Sequence, residues 1–209
     1  MRKLLLLLAV FLLAAPAGFA QNNYSDWEFF IGYAHERASN GGDRLDQRGL
    51  AVSSTGATSK VDFANKKIPY NGVTGEVVVN LNSTVGLVGN FSATFANTQL
   101  HDRLSGKDFN ASMSRYTLLF GPRFNLRNGT PFTPFAHALF GAAIHHAAVD
   151  NFSCPDKNQT GFAMALGAGL DVKANDRFDI RPIQVDYMPT YFKGHREDNL
   201  RFSAGIKIK

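Results

Sequence analysis

The sequence predicts an all-β protein: an eight-stranded antiparallel up-and-down β-barrel that crosses a membrane, preceded by a cleavable signal peptide. Three observations predict it. The closing stretch Asn199–Ile208 alternates without a break, with Leu200, Phe202, Ala204, Ile206 and Ile208 on one parity and Asn199, Arg201, Ser203, Gly205 and Lys207 on the other. That pattern gives a strand one apolar and one polar or small face, long enough for a tilted strand to cross the apolar layer of a bilayer. Seven more stretches share the habit and exceed the usual strand length of globular sheets. The connections alternate short and long, as in barrels with tight turns at one end and long loops at the other.

The first strand is Asp26–Arg37, with Trp27, Phe29, Ile31 and Tyr33 on one face and Glu28, Phe30, Gly32, Ala34 and Glu36 on the other. A Trp at the strand end suits a lipid–water interface. Residues 39–71 form the longest non-periodic stretch and are expected to be one long loop, with Val61–Ala64 a short hairpin arm or an extension of the next strand. A loop of that length counts against a soluble domain and is ordinary in a membrane barrel.

The second strand is Gly72–Asn82, where Val73, Val77, Val79 and Leu81 oppose Thr74, Glu76 and Asn80; Asn82-Ser83-Thr84 turns the chain. The third is Thr84–Ala96, followed by a polar loop over Asn97–Asn110. The fourth is Ala111–Leu126, with Tyr116, Leu118, Phe120 and Phe124 opposite Arg115, Thr117, Gly121 and Arg123. Arg127-Asn128-Gly129-Thr130 contains Asn-Gly, the strongest short hairpin signal. The fifth, Pro131–His146, alternates less cleanly around Phe132, Phe135, Phe140 and Ile144, and leads to a loop over Val149–Gln159.

The sixth strand is Thr160–Lys173, with a run of Ala and Gly on its polar parity, and Ala174-Asn175-Asp176 is a turn. The seventh is Arg177–Met188, in which Pro182 marks a bulge or edge and shifts the parity. Pro189–Asp198 is read as a loop before the closing strand, which runs back toward Lys209 and pairs with the seventh and the first.

With the apolar faces outward, the interior receives Glu28, Glu36, Glu76, Arg115, Arg123, Asp171, Lys173, Asp186, Arg201 and Lys207. Eight strands enclose just enough room for side chains, and isolated buried charges are costly. The expected interior is therefore a salt-bridged plug, with Arg201 and Lys207 facing acids such as Glu28 and Glu36. A narrow small-solute channel is the alternative.

The N-terminus reads as an export signal: Arg2 and Lys3, an apolar run over residues 4–15, and Gly18-Phe19-Ala20 before a cleavage site at Gln21. Residues 1–20 are thus assigned to the signal peptide and residues 21–209 to the barrel domain. The residue directly after the cleavage site is Gln21 and not a cysteine, which argues against lipoprotein processing. No later stretch is long and apolar enough for a membrane helix. Without Arg2 and Lys3 the chain carries 20 basic and 17 acidic residues, a formal +3 that is too mild to point to nucleic acid. Cys154 is the only cysteine, so neither an intramolecular disulfide nor a cysteine metal cluster can form.

Several segments carry a family resemblance. They are the Trp-aromatic first strand, Asn71-Gly72-Val73-Thr74-Gly75, Val85-Gly86-Leu87-Val88-Gly89-Asn90-Phe91-Ser92, Tyr116–Arg123, Pro134-Phe135-Ala136-His137, Ile180–Tyr187 and Leu200–Ile206. Together they resemble small bacterial outer-membrane β-barrel proteins of the OmpA-like N-terminal (OmpA/OmpX) type. Such barrels usually end on an aromatic residue, whereas this chain ends Ile206-Lys207-Ile208-Lys209. The peptidoglycan-tethering role of full-length OmpA is not implied.

The resemblance implies location in the Gram-negative outer membrane, with outer-membrane lipid and lipopolysaccharide around the barrel, the barrel-assembly machinery and periplasmic chaperones as partners during biogenesis, and an extracellular partner through the loops. A monomer is expected. The histidines are His35, His101, His137, His145, His146 and His195. His101-Asp102 shares a loop with Ser105 and Asp108, but no Gly-x-Ser-x-Gly or other catalytic motif appears. His145 and His146 are adjacent on a strand and point to opposite faces. No residue is therefore assigned a catalytic, cofactor-binding or metal-ligating role. The expected function is structural or surface-interacting; a lipid-modifying enzyme and a soluble lipocalin-like carrier rank below the channel.

Overall fold

The computed structural model describes residues 24–39, 51–52, 58–59, 61–63, 67–102, 108–149, 158–192 and 195–209. The export signal, Ser105 and Cys154 lie outside these residues. The strands are β1 (Trp27–Ser39), β2 (Ala51–Val52), β3 (Thr58–Ser59), β4 (Val61–Phe63), β5 (Lys67–Asn80), β6 (Val85–Asp102), β7 (Asp108–Asn125), β8 (Phe132–Val149), β9 (Asn158–Lys173), β10 (Phe178–Phe192) and β11 (His195–Ile208). Eight of them, β1 and β5 to β11, form a closed antiparallel barrel in which each pairs with its chain neighbour, and β11 pairs with β1. The closing register sets Phe29 against Ile208 and Arg37 against Leu200.

β4 lies on β6 beyond the point where β5 leaves it, with Val61 opposite Asp102. Of the arm or extension expected at Val61–Ala64, Val61–Phe63 is a short strand of its own on the flank of β6, and Ala64 lies outside the described residues. β2 and β3 form a separate two-stranded pair.

Three tight turns close one end of the barrel, each organised by an asparagine. The Asn82 carboxamide oxygen accepts from the Thr84 and Val85 amides, both at 2.8 Å. Asn175 repeats the arrangement with Arg177 and Phe178 at 2.8 Å. In the third, the Thr130 hydroxyl donates to Asn128 at 2.7 Å and Gly129 takes a φ of 76°, the left-handed region glycine enters freely. In the turn at residues 174–177, Lys173 donates to Asp176 at 2.7 Å, which holds that carboxyl below its ordinary pKa.

At the opposite end the strands run further than the sequence suggests. β5 begins at Lys67, β6 reaches Asp102 and β7 starts at Asp108, so most of the stretch Asn97–Asn110 read as polar loop is strand. The loop read over Pro189–Asp198 is mostly strand: Pro189 pairs with Asp198 and Phe192 with His195. The reason is physical. Strands of 18 residues measure roughly 60 Å along their axis, or about 45 Å at the usual barrel tilt, against an apolar band of about 25 Å. The excess projects into water, where an outward face need not be apolar, and the alternation that marks a strand disappears. Outward residues there are Tyr187, Arg196 and Asp198, which hydrogen-bond to one another.

Within the band, the outward face carries Trp27, Phe29, Ile31, Val73, Leu87, Phe120, Leu166, Ile180, Ile183 and Ile206, all exposed. Phe95 with Tyr116 and Phe162 with Tyr191 form ring pairs on the same face. Pro182 sits in the expected irregularity: the β10 register shifts against both neighbours there, and Pro182 and Ile183 are both exposed in succession. The shift is what turns Gln184 and Asp186 inward.

Candidate functional site

The inward parity brings the charges together. Arg181 is the hub of the central cluster. Its Nε donates to Asp171 at 2.7 Å, and one terminal nitrogen donates to Glu76 and to Gln184, each at 2.6 Å. Arg123 donates to the same Asp171 at 2.7 Å and lies 3.6 Å from Glu76. The two guanidiniums are held apart by aromatic rings. Arg123 lies 3.7 Å from the Phe135 ring centroid, and Arg181 lies 4.0 Å from Phe30 and 4.3 Å from Phe135. Phe30, an exception on the polar face of the first strand, and Phe135, the break in alternation of the fifth, thus serve as cation–π partners for buried arginines.

Toward the turn end, Lys207 meets three carboxylates: Glu28 at 3.2 Å, and Asp171 and Asp179 at 2.9 Å. Arg127 reaches the other Glu28 oxygen at 2.7 Å, and Lys209 reaches Asp179 at 2.6 Å. On the other side of the hub, Asp186 accepts from Arg201 at 2.8 Å and 3.0 Å and contacts the His137 Nε2 at 2.8 Å. Gly167 makes the histidine contact feasible. A Cβ there would fall 1.9 Å from the Asp186 carboxylate and 2.7 Å from His137.

A separate cluster lies toward the loop end. Arg115 donates to Glu36 at 2.5 Å and to Glu197 at 3.2 Å, with the Tyr70 ring 5.2 Å away. An apolar group that includes Leu119, Leu139, Met188 and Phe192 is also buried.

Nine of the ten charges assigned inward are buried. Lys173 is the correction: it is exposed and pairs with Asp176, because it ends β9 at the rim, where parity no longer aims a side chain into the barrel. Lys207 meets Glu28 as expected, while Glu36 is taken by Arg115 and Arg201 by Asp186. Sequence reading passed over Asp179, Arg181, His137 and Glu197. Arg181 and Asp179 precede the parity shift at Pro182, and Glu197 sits in the stretch read as loop. A lone histidine such as His137 gives no signal without its cross-strand partners.

His145 and His146 take opposite faces, with His145 packed edge-on against Tyr70 and Phe192. The side chains of His101, Asp102, Asp108 and His195 are outside the described set. Among the described residues, no group of three or more His, Cys, Asp and Glu side chains is placed to hold a metal ion. His137 Nδ1 has no hydrogen-bond partner there, so the His137–Asp186 pair has no hydroxyl or thiol aligned for activation. Chemically, this interior neutralises charge and fills space.

The family model described as the outer membrane protein beta-barrel domain matches residues 4–207. The chain belongs to this outer-membrane β-barrel family. Its turn end is therefore the periplasmic end and its loop end the extracellular one, and a soluble carrier is set aside. Among solved structures, Neisserial surface protein A is similar with a TM-score of 0.56 at 12% identity, covering 88% of this chain and 97% of that one. The attachment invasion locus protein Ail of Yersinia pestis gives 0.50 at 17%, covering 87% and 97%. OprG from Pseudomonas aeruginosa gives 0.50 at 13%, covering 90% and 96%. At these identities the likeness is one of fold. Comparison with curated proteins brings no match.

Proposed function

We propose that this barrel is a closed membrane anchor whose work is done at its extracellular end, in a structural or surface-interaction role. The observation that carries the reading is the occupied interior. The narrow-channel alternative leans on the small residues of β9, but neighbours already use the space those residues leave. A Cβ on Gly161 would meet Phe192, one on Gly167 would meet Asp186, and one on Gly169 would meet the Phe135 ring. The ion pairs close the remainder, since separating buried partners is costly. Purified protein in planar bilayers should show no stable unitary current. Reproducible conductance steps that disappear when the protein is omitted would establish the channel instead.

On the same reading the barrel has no catalytic role, and incubation with lipid A or phospholipid vesicles should leave their acyl chains in place. Outer-membrane lipid and lipopolysaccharide surround the belt, and any protein partner binds through the extracellular loops. Assembly proceeds through periplasmic chaperones and the barrel-assembly machinery, and the finished protein is monomeric. Residues 1–20 are removed on export, so N-terminal sequencing of the mature protein should begin at Gln21.

A further inference from the structure

The apolar belt is interrupted by an open groove of about 440 Å³. Its lining includes Phe29 of β1, Gly75 and Val77 of β5, Gly89 and Phe91 of β6, and Phe120 of β7. Val77 stands opposite Phe29 on one side and Gly89 on the other, and Gly89 stands opposite Phe120. Gly75 stands opposite Phe91. Two glycines thus leave a trough between aromatic side chains that stand out from the wall.

Glycine weakens a strand, and its presence in one often marks close approach by something else. Elsewhere in this barrel that something is the protein. A Cβ on Gly32, Gly72, Gly121, Gly141 or Gly205 would come within 2.0–2.4 Å of neighbouring backbone. Gly75 and Gly89, the strand glycines on the lipid-facing parity among the described residues, differ. A Cβ on Gly75 would meet only the Phe30 carbonyl at an ordinary 3.5 Å, and one on Gly89 would come 3.1 Å from the edge of the Phe120 ring, which would have to give slightly. No neighbouring backbone excludes a side chain at either position; Gly75 is open, and at Gly89 only the outward Phe120 ring stands close.

We propose that the groove is a lipid slot that holds one acyl chain of a bilayer phospholipid. The belt places it inside the hydrocarbon layer, where alkyl chains are the medium. The lining is apolar at its surface and offers no site for a headgroup. It spans four adjacent strands, about 14 Å across, which suits one chain. A stable contact between two barrels would need about 1,000 Å² of buried surface, far more than such a slot supplies. The aromatic walls restrict the chain sideways, and the missing side chains let it approach the sheet.

The test reconstitutes the full barrel in phosphatidylethanolamine–phosphatidylglycerol vesicles doped with a phospholipid bearing a diazirine near one chain end. Photolabelling and peptide mapping should concentrate the adduct on Phe91 and Phe120, and native mass spectrometry should retain one phospholipid per chain. Gly75→Leu should abolish both signals, as should Gly89→Leu. Ala168→Leu, an outward substitution on β9, should leave them unchanged; heat-modifiable gel migration confirms that each variant is folded. Adducts spread evenly around the belt, or labelling unaltered in both glycine variants, would overturn the proposal. A dimer mass that disappears in the glycine variants would also overturn it, in favour of a second copy of the chain.

Discussion

Arg181→Met tests whether the central cluster stabilises this barrel as a connected unit. The arginine makes four hydrogen bonds to Glu76, Asp171 and Gln184, and lies between two aromatic rings. Methionine keeps much of the volume and removes the charge. The two acids then fare differently. Asp171 retains Arg123 at 2.7 Å and Lys207 at 2.9 Å. Glu76 retains only the longer 3.6 Å contact with Arg123 and donated bonds from Gln184 and Asn90 at 3.1 and 3.3 Å. Removing one partner of a buried ion pair costs about 3–5 kcal/mol; the cover left to Asp171 puts the expectation near 3 kcal/mol. Adding Glu76→Gln removes the stranded charge and should recover roughly 1–2 kcal/mol, a coupling within the range for contacting residues. Reversible urea unfolding in lipid vesicles, followed by tryptophan fluorescence and gel migration, measures both. A single variant within about 1 kcal/mol of the parent, or a double variant no better than the single, would refute the hub assignment.

Four further substitutions probe other parts of the wall. Leu166→Arg places a charge midway along the lipid-facing side of β9 and should cost roughly 2–4 kcal/mol, with Phe202→Arg, nearer the extracellular interface, costing less; equal stability of either to the parent in the same unfolding assay would contradict the facing. Gly167→Ala drives a methyl into the His137–Asp186 contact and should cost about 1–3 kcal/mol as an overpacking change, with a shift of the His137 ring resonances by NMR; unchanged resonances would mean that the pair tolerates the methyl. Lys207→Met takes one cation from Glu28, Asp171 and Asp179, which keep Arg127, Arg181 and Lys209, and should cost about 3 kcal/mol, the low end for a broken buried pair, and hydrogen exchange should rise first along the β1–β11 pairing.

The membrane-crossing parts of this fold were legible because the bilayer imposes a simple rule on them. Wherever one face meets hydrocarbon, as from Trp27 to Tyr33 or Leu200 to Ile208, the period of two is written in the residues themselves. The rule lapses above the bilayer, which is why Pro189–Asp198 read as loop while forming strand. Inside the barrel, the sequence disclosed which side chains turn inward but not which ones meet. Glu36 is opposite Arg201 in the register yet hydrogen-bonds Arg115, several strands away around the wall. Partner choice there depends on how far each side chain reaches across the lumen, and no local pattern encodes that distance. Phe30 and Phe135 looked like lapses in the polar face for the same reason: their role depends on arginines from β7 and β10.

The pairing of β1 with β11 also sets a sequence of events. The Lys207–Glu28 contact joins residues 179 positions apart, and closing a free loop of that length costs about 5 kcal/mol in chain entropy. Hairpins across the asparagine turns need only a few residues to meet and form without that cost. The seam is therefore the slow step: a barrel with seven of its strand pairings made still has two open edges and lacks the Lys207–Glu28 contact. The wall cannot shut until β11 has been brought to β1, so closure waits on the last strand of the barrel.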